Sequence, residues 1–165
     1  MTAAVCEIRF VDVRFPACRN DEILKREHHK EHALSDTVNQ LLRLSQQMLD
    51  SIDQQDWSAY CQLCDPSLTA FEPEAVGNRV CGMDFHEFYF KIESAGRPKQ
   101  STISSPDVRL MGDSAVVTYV RLTQRVDDEG RSTTSAQEET RIWQRQNGEW
   151  KHVHFHRSNS GHVRL

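Results

Sequence analysis

Arg121, Arg141 and Arg157 each lie inside a segment of alternating hydrophobicity. Each shares its side of that segment with aromatic or apolar residues. Tyr119, Arg121 and Thr123 fall on one face, Glu139, Arg141 and Trp143 on one face of the next segment, and Val153, Phe155 and Arg157 on one face of the last. A guanidinium keeps its charge at any ordinary pH and loses hydration on burial, so three of them among aromatics need partners. Glu139 can neutralise one. Two readings stay open: a structural ion-pair network or exposed sheet face, or a pocket that takes a carboxylate or phosphate through bidentate contacts.

The opposite face carries Val120, Leu122, Gln124, Ile142, Gln144, His152, His154 and His156. Imidazoles at alternate strand positions stand about 7 Å apart, which suits a metal only if the strand curves or a fourth ligand reaches in. A half-apolar, half-polar outer face is better read as a contact surface, and no metal site is assigned. Cys61 and Cys64 form a C-x-x-C without a second pair to complete a zinc site. Cys6, Cys18, Cys61, Cys64 and Cys81 are an odd number with no secretion signal, so buried thiols are expected rather than disulfides. The chain has no G-x-G-x-x-G, no G-K-[ST] loop and no G-x-S-x-G elbow, and His156-Arg157-Ser158 lacks the aspartate of a kinase catalytic loop. No cofactor is expected.

The elements that must carry these residues follow from periodicity. Val38, Leu41, Leu42, Ser45, Met48, Leu49 and Ile52 recur at spacings of three and four, predicting a helix over 37–52 capped by Ser35 or Asp36. A short helix follows Asp56, with Trp57, Tyr60, Cys61 and Cys64 on its buried side until Asp65-Pro66. Leu68 to Phe71 reads as a brief strand. A third helix is expected after Asp84 as its cap, with Phe85, Phe88, Tyr89 and Ile92 on one side, stopped by Gly96 and Pro98. Beyond Lys99 the period becomes two, giving strands near 100–110, 114–126, 132–145 and 149–158 with turns at Gly112-Asp113, Asp127 to Gly130 and Asn147-Gly148. Three helices followed by an antiparallel meander is an α+β order in which helices cover one face of a curved sheet, leaving a cone with a pocket at its open end.

Residues 1–36 stand apart. CEIRFVDVRF (6–15) reads as an extra strand closed by Pro16, and Ala17 to Asp36 as a charged, solvated connector, helical in tendency. Its LKREHHKEHAL stretch is basic enough to suggest a calmodulin-target helix, but Glu22, Glu27 and Glu31 cancel the charge and the apolar face is thin.

The 165 residues, 38% hydrophobic and 27% charged, suit one globular domain and exclude disorder throughout. A net charge of −4 provides no overall positive field for nucleic acid or an anionic membrane. No apolar run approaches the ~20 residues of a membrane span and the N-terminus has no secretory pattern, so the cytoplasm is the expected compartment.

At CDPSLTAFEPEAVGN (64–78), GMDFHEFYF (82–90), LMGDSAVVTYVRLTQ (110–124), EETRIWQR (138–145) and W-x-x-V-H-F-H-R-S (150–158), the chain closely resembles the association, or hub, domain of calcium/calmodulin-dependent protein kinase II. The resemblance runs collinearly from about Thr37 to Ser158 and implies a hub domain over 37–158, an N-terminal extension over 1–36 and a tail over 159–165. It implies the nuclear transport factor 2-like fold, a cone of helices wrapped by a bent antiparallel sheet. It also implies a closed homo-oligomer of two stacked rings, a dozen subunits or more, that scaffolds kinase domains where the chain is part of a longer protein. Carried over by position, the family's pocket arginines fall on Arg121, Arg141 and Arg157, and Tyr60, His86 and Trp143 match positions near that pocket. Gln46 stands where the family has a pocket glutamate. The expected function is a non-catalytic self-association module whose pocket takes a carboxylate or an acidic segment. The alternative is an isomerase or dehydratase in the same cone, with His86 and Tyr60 as acid and base.

Overall fold

A computed structural model describes residues 20–92, 96–127 and 129–159. The strand expected at 6–15 lies outside the described residues, as does the tail beyond Asn159. The chain divides into two compact units, residues 1–34 and 35–165.

Helix α1 spans Asn20–Asp53, so the charged connector is helical from Asn20 onward, and no cap forms at Ser35 or Asp36. The stretch from Asn20 to Leu34 holds no Gly or Pro and carries good helix formers, Glu, Lys, Leu and Arg, so nothing in it breaks the helix. His28, His29 and residues 31–36 are exposed. In the second unit the periodic stripe is buried as expected, with Leu41, Ser45, Met48 and Leu49 all inaccessible to solvent.

Helix α2 (Trp57–Leu63) starts at Asp56, whose carboxylate accepts from the Ala59 amide at 2.9 Å. It buries Tyr60 but leaves Cys61 exposed, contrary to expectation, because a seven-residue helix has room for one narrow buried stripe. Strand β1 (Cys64–Phe71) follows directly. A 3-10 turn (Pro73–Ala75) and the two-residue strand β2 (Val80–Cys81), absent from the sequence reading, lead to α3 (Asp84–Phe90). Met83 rather than Asp84 occupies the cap position of α3, and Asp84 joins Glu87 as acidic charge in the first turn. The helix ends at Phe90, ahead of the expected stop at Gly96, and Ile92 is left 47% exposed.

Strands β3 (Lys99–Met111), β4 (Ser114–Val126), β5 (Ser132–Gln146) and β6 (Glu149–Asn159) form the expected meander. Asn147 and Gly148 both have positive φ, +52° and +88°, the requirement of the tight hairpin between β5 and β6. The sheet order is β2-β1-β6-β5-β4-β3, antiparallel except where β1 runs parallel to β6. The parallel pair was not read from sequence, since periodicity identifies strands and not their partners.

One irregularity redirects side chains. In the β5–β6 ladder Trp143 faces His152 while Ile142 faces His154, so Val153 is an extra residue in β6. A bulge of this kind reverses the alternation beyond it. His152 therefore turns inward and is fully buried beside Trp143, whereas His154 is half-buried and His156 exposed. The three imidazoles therefore do not share a face.

The core of this unit packs Leu41, Met48 and Leu49 of α1 and Tyr60 of α2 against Leu68, Ala115, Val117, Tyr119, Trp143 and Trp150. A smaller cluster joins Ala70, Ala75, Val80 and Phe155, with Phe85 packed on it.

Candidate functional site

A cavity of about 530 Å³ opens at the end of this inner face where apolar packing gives way to charge. Strands β4, β5 and β6 supply Arg121, Glu139, Arg141, Phe155 and Arg157, α2 and α3 supply Tyr60 and His86, and Asp53, Glu72 and Glu74 join from the end of α1 and the segment after β1. Of the residues singled out from sequence, Arg121, Arg141, Arg157, Tyr60, His86 and Glu139 all line it. Trp143 does not: it is fully buried beside His152, part of the apolar core. Gln46 does not either. Its amide donates to the Ser101 carbonyl at 2.9 Å and to Asp50 at 2.8 Å, and its oxygen accepts from the Ile103 amide at 3.3 Å. It ties α1 to β3.

Every one of the three arginines has a carboxylate. Arg141 is the most enclosed. Its Nη2 donates to Glu139 Oε2 at 2.8 Å, its Nε to the Tyr119 hydroxyl at 2.6 Å, and its Nη1 meets Met48 Sδ at 2.8 Å. Its plane lies over the Phe155 ring, 5.0 Å from the centroid. The Tyr119 hydroxyl in turn donates to Glu139 Oε2 at 2.6 Å, closing a triangle. Arg121 donates to Asp53 Oδ1 at 3.2 Å and to the Ser101 hydroxyl at 2.9 Å, and its Nη1 lies 3.6 Å from Glu139 Oε1. Arg157 donates to Glu72 Oε2 at 3.0 Å and to Glu74.

Asp53, Glu72 and Glu74 were missed in the sequence, yet two of them carried a signal. Asp53 continues the line Ser45, Leu49 at spacings of four, and Glu72 continues Leu68, Ala70 at spacings of two. A carboxylate extending a buried stripe needs a buried cation.

The protonation states follow from burial and neighbours. Burial lowers the His86 imidazole to about 4, helped by Arg141 and Arg157, so His86 is neutral at pH 7. Its Nδ1 is 3.5 Å from Glu72 Oε1. Burial likewise raises the Tyr60 phenol well above its ordinary range and pushes the Cys64 thiol up to about 12. Burial raises the Glu72 carboxyl, only partly offset by Arg157. Glu139 is the reverse case: Arg141 and Arg121 overcome its burial and hold it below the usual range. Proton abstraction is poorly served by a carboxylate so stabilised, and a fully buried phenol is no base. Holding a charged or polar molecule is well served.

His152 is also neutral, lowered by burial and by Arg141, whose Nη1 is 3.4 Å from its Nε2. His154 instead shares a 2.7 Å hydrogen bond with the Thr69 hydroxyl, and the Phe71 ring lies about 6 Å from both His154 and His156, at 6.2 and 6.0 Å. Among the described residues no group of three or more His, Cys, Asp or Glu is arranged to hold a metal ion, and no helix is long and apolar enough to cross a membrane.

Residues 37–161 match the model of the family described as the calcium/calmodulin dependent protein kinase II association domain. The calcium/calmodulin-dependent protein kinase type II subunit delta of Oryctolagus cuniculus is 47% identical over 124 residues, covering 73% of this chain and 23% of the rabbit protein. The chain thus spans about a quarter of that curated relative's length. Among solved structures, the CaMKII hub homology domain of Chlamydomonas reinhardtii is 43% identical with a TM-score of 0.72, covering 76% of this chain and 99% of that one. A nuclear transport factor 2-like superfamily protein from Salmonella enterica, 20% identical with a TM-score of 0.67 over 80% of this chain and 96% of that one, shows the fold alone. The α+β, nuclear transport factor 2-like architecture expected from sequence is the observed one.

Proposed function

The chain belongs to the calcium/calmodulin-dependent protein kinase II association-domain family, and from that premise we propose that it is a non-catalytic self-association module closing into two stacked rings of about a dozen subunits or more. In this reading it would scaffold kinase domains where it forms part of a longer chain, and its cavity takes a carboxylate or acidic segment through Arg121 and Arg157. The observation that carries the assembly reading is the family match over residues 37–161. Two stacked rings need a lateral, heterologous contact and an isologous one across the midplane. Exposed Phe88, Tyr89 and Ile92 on and beside α3, Val76 beyond the 3-10 turn and Met111 at the end of β3 support the presence of more than one apolar contact area. Native mass spectrometry of the full chain at micromolar concentration should give a closed oligomer with one dominant even subunit number. A monomer or isolated dimer would rule the ring out.

The rival reading, acid–base catalysis in the same cavity, has Glu72 in its favour, a carboxyl raised by burial and close to His86. Against it, Glu72 is held by Arg157, His86 is neutral, and the three arginines favour holding an anion over accepting a proton from carbon.

A further inference from the structure

Among the described residues, the non-glycine positions with positive φ are Gln55, Val76, Ser105 and Asn147, and Val76 is the β-branched one. At φ +50° and ψ +48° its branched Cβ crowds the following carbonyl, a conformation that Gly or Asn adopts at far less cost. No packing within the chain offsets that strain. Val76 is 85% exposed, more than any other large apolar side chain among the described residues. The turn that presents it is nevertheless tied down. The Ala75 and Val76 amides donate to the Glu72 and Pro73 carbonyls at 3.1 Å, and the Asn78 amide and Nδ2 both donate to the Ala75 carbonyl at 3.0 Å. Ala75 is buried with Ala70, Val80 and Phe155, and Glu72 and Glu74 both hold Arg157. Beside this turn lies a hollow of about 330 Å³, lined among others by Phe71, Pro73, Gly77, His156 and Asn159. Phe71, 39% exposed, gives it an apolar wall.

We propose that Val76 is the knob of an isologous contact between two copies of this chain, each copy seating Val76 in the other's Phe71 hollow. This rests on the reading of the chain as a self-association module and names the surface of its two-fold contact. A second copy is the occupant that both features fit. Knob and hollow lie side by side, with Pro73 and Gly77 of the turn forming part of the hollow's wall, so the patch carries both halves of a contact and one two-fold axis satisfies them together. The family match over residues 37–161 supplies the self-association such a patch requires. Seating removes the Val76 methyls from water, and a turn already fixed by its own hydrogen bonds loses little freedom in the process.

The test is native mass spectrometry of the full chain at micromolar concentration, with circular dichroism as the check of folding, on the native protein, Val76→Asn and Asn159→Trp. Asn accepts the left-handed turn and removes the methyls. Trp at the exposed position 159 fills the hollow and leaves Val76 in place. Loss of a two-fold contact splits two stacked rings into single ones, so the dominant subunit number should halve in both variants. A native dimer that becomes a monomer in both variants removes the ring and keeps this contact. An unchanged subunit number in both variants overturns the contact while the ring stands, and a fall from a ring to dimers overturns it by assigning the turn to the lateral contact. An effect of one variant alone overturns the reciprocal seating. A native monomer overturns the contact and the self-association reading together.

Discussion

The inner face of one sheet is held in two different ways. Near the β5–β6 hairpin, Ala115, Val117, Trp143 and Trp150 are cemented to Leu41, Met48 and Leu49 by apolar burial. A few residues along the same strands, Tyr119, Arg121, Glu139 and Arg141 are just as buried and are held by charge pairing. Apolar burial is non-directional, so neighbouring side chains can repack around a small shift without a particular partner. The charged half cannot, since each guanidinium and carboxylate was stripped of water and is compensated only by its particular partner. Arg141 joins the halves: one edge of its guanidinium meets Glu139 and Tyr119, another meets Met48, and its face covers Phe155.

Substitutions sharpen the contrast. In the dry half, Trp143→Ala should cost about 3–5 kcal/mol through lost transfer energy and a residual cavity. In the charged half, Glu139→Ala should cost a similar amount, about 3–5 kcal/mol, by leaving Arg141 buried without its carboxylate. The two losses differ in how they are repaired. Adding Arg141→Met to Glu139→Ala should recover much of the loss, because the orphaned charge is gone, whereas no charge change should repair Trp143→Ala. Urea denaturation of the two singles and the double measures this. A double variant no more stable than Glu139→Ala would show that the charged half is held by packing after all.

The next effect concerns acid. His86 and His152 are neutral in the fold and sit beside Arg141, with Glu72 against His86 and Cys64 Sγ 3.8 Å from His152 Nδ1. Both have folded pKa values below the ordinary 6.5, so their contribution is complete above 6.5 and is lost as pH falls, because the unfolded chain takes up protons first. For His86 the window runs from 6.5 to about 4, worth roughly 3 kcal/mol at about 1.4 kcal/mol per unit. Glu72, raised by burial, acts in the opposite sense at the acid end. The thermal midpoint should therefore fall between pH 7 and 5, and less steeply in His86→Gln. A midpoint that rose over that interval would contradict neutral burial of the two imidazoles.

These tests touch residues of unequal legibility. Alternation placed Tyr119, Arg121, Glu139 and Arg141 on one face because β4 and β5 pair without irregularity from Ser114 to Val126. It failed in β6, where the single extra residue Val153 reverses the alternation and brings His152 inside. A bulge has no pattern of its own in the hydrophobicity of a strand that carries aromatic and His residues on both sides. It also missed the acids. Asp53 and Glu72 lie where a buried stripe leaves its element, and at that point polarity reads as the start of a loop rather than as the partner of an arginine on a distant strand. The parallel pairing of β1 with β6 was equally hidden, since it joins segments far apart in the chain, as in Thr69 with His154, 85 positions on.

The smallest expected effect separates position in an alignment from position in the cavity. Gln46 stands where resemblance puts a pocket glutamate, yet its amide bridges Asp50, the Ser101 carbonyl and the Ile103 amide on the edge strand β3. Gln46→Glu keeps the acceptor for Ile103 and removes both donors, setting a carboxylate against the Ser101 carbonyl and, one helical turn away, against Asp50. Lost hydrogen bonds of this exposed to half-buried kind are worth about 1 kcal/mol, and like charges at this helical spacing add a few tenths more. The variant should thus lose about 1–2 kcal/mol in urea denaturation, with the loss shrinking in Asp50→Asn and with carboxylate affinity unchanged. If the new glutamate lowered carboxylate affinity severalfold while leaving stability intact, Gln46 would belong to the charged half of the inner face, and the boundary between the two halves would have to be redrawn through α1.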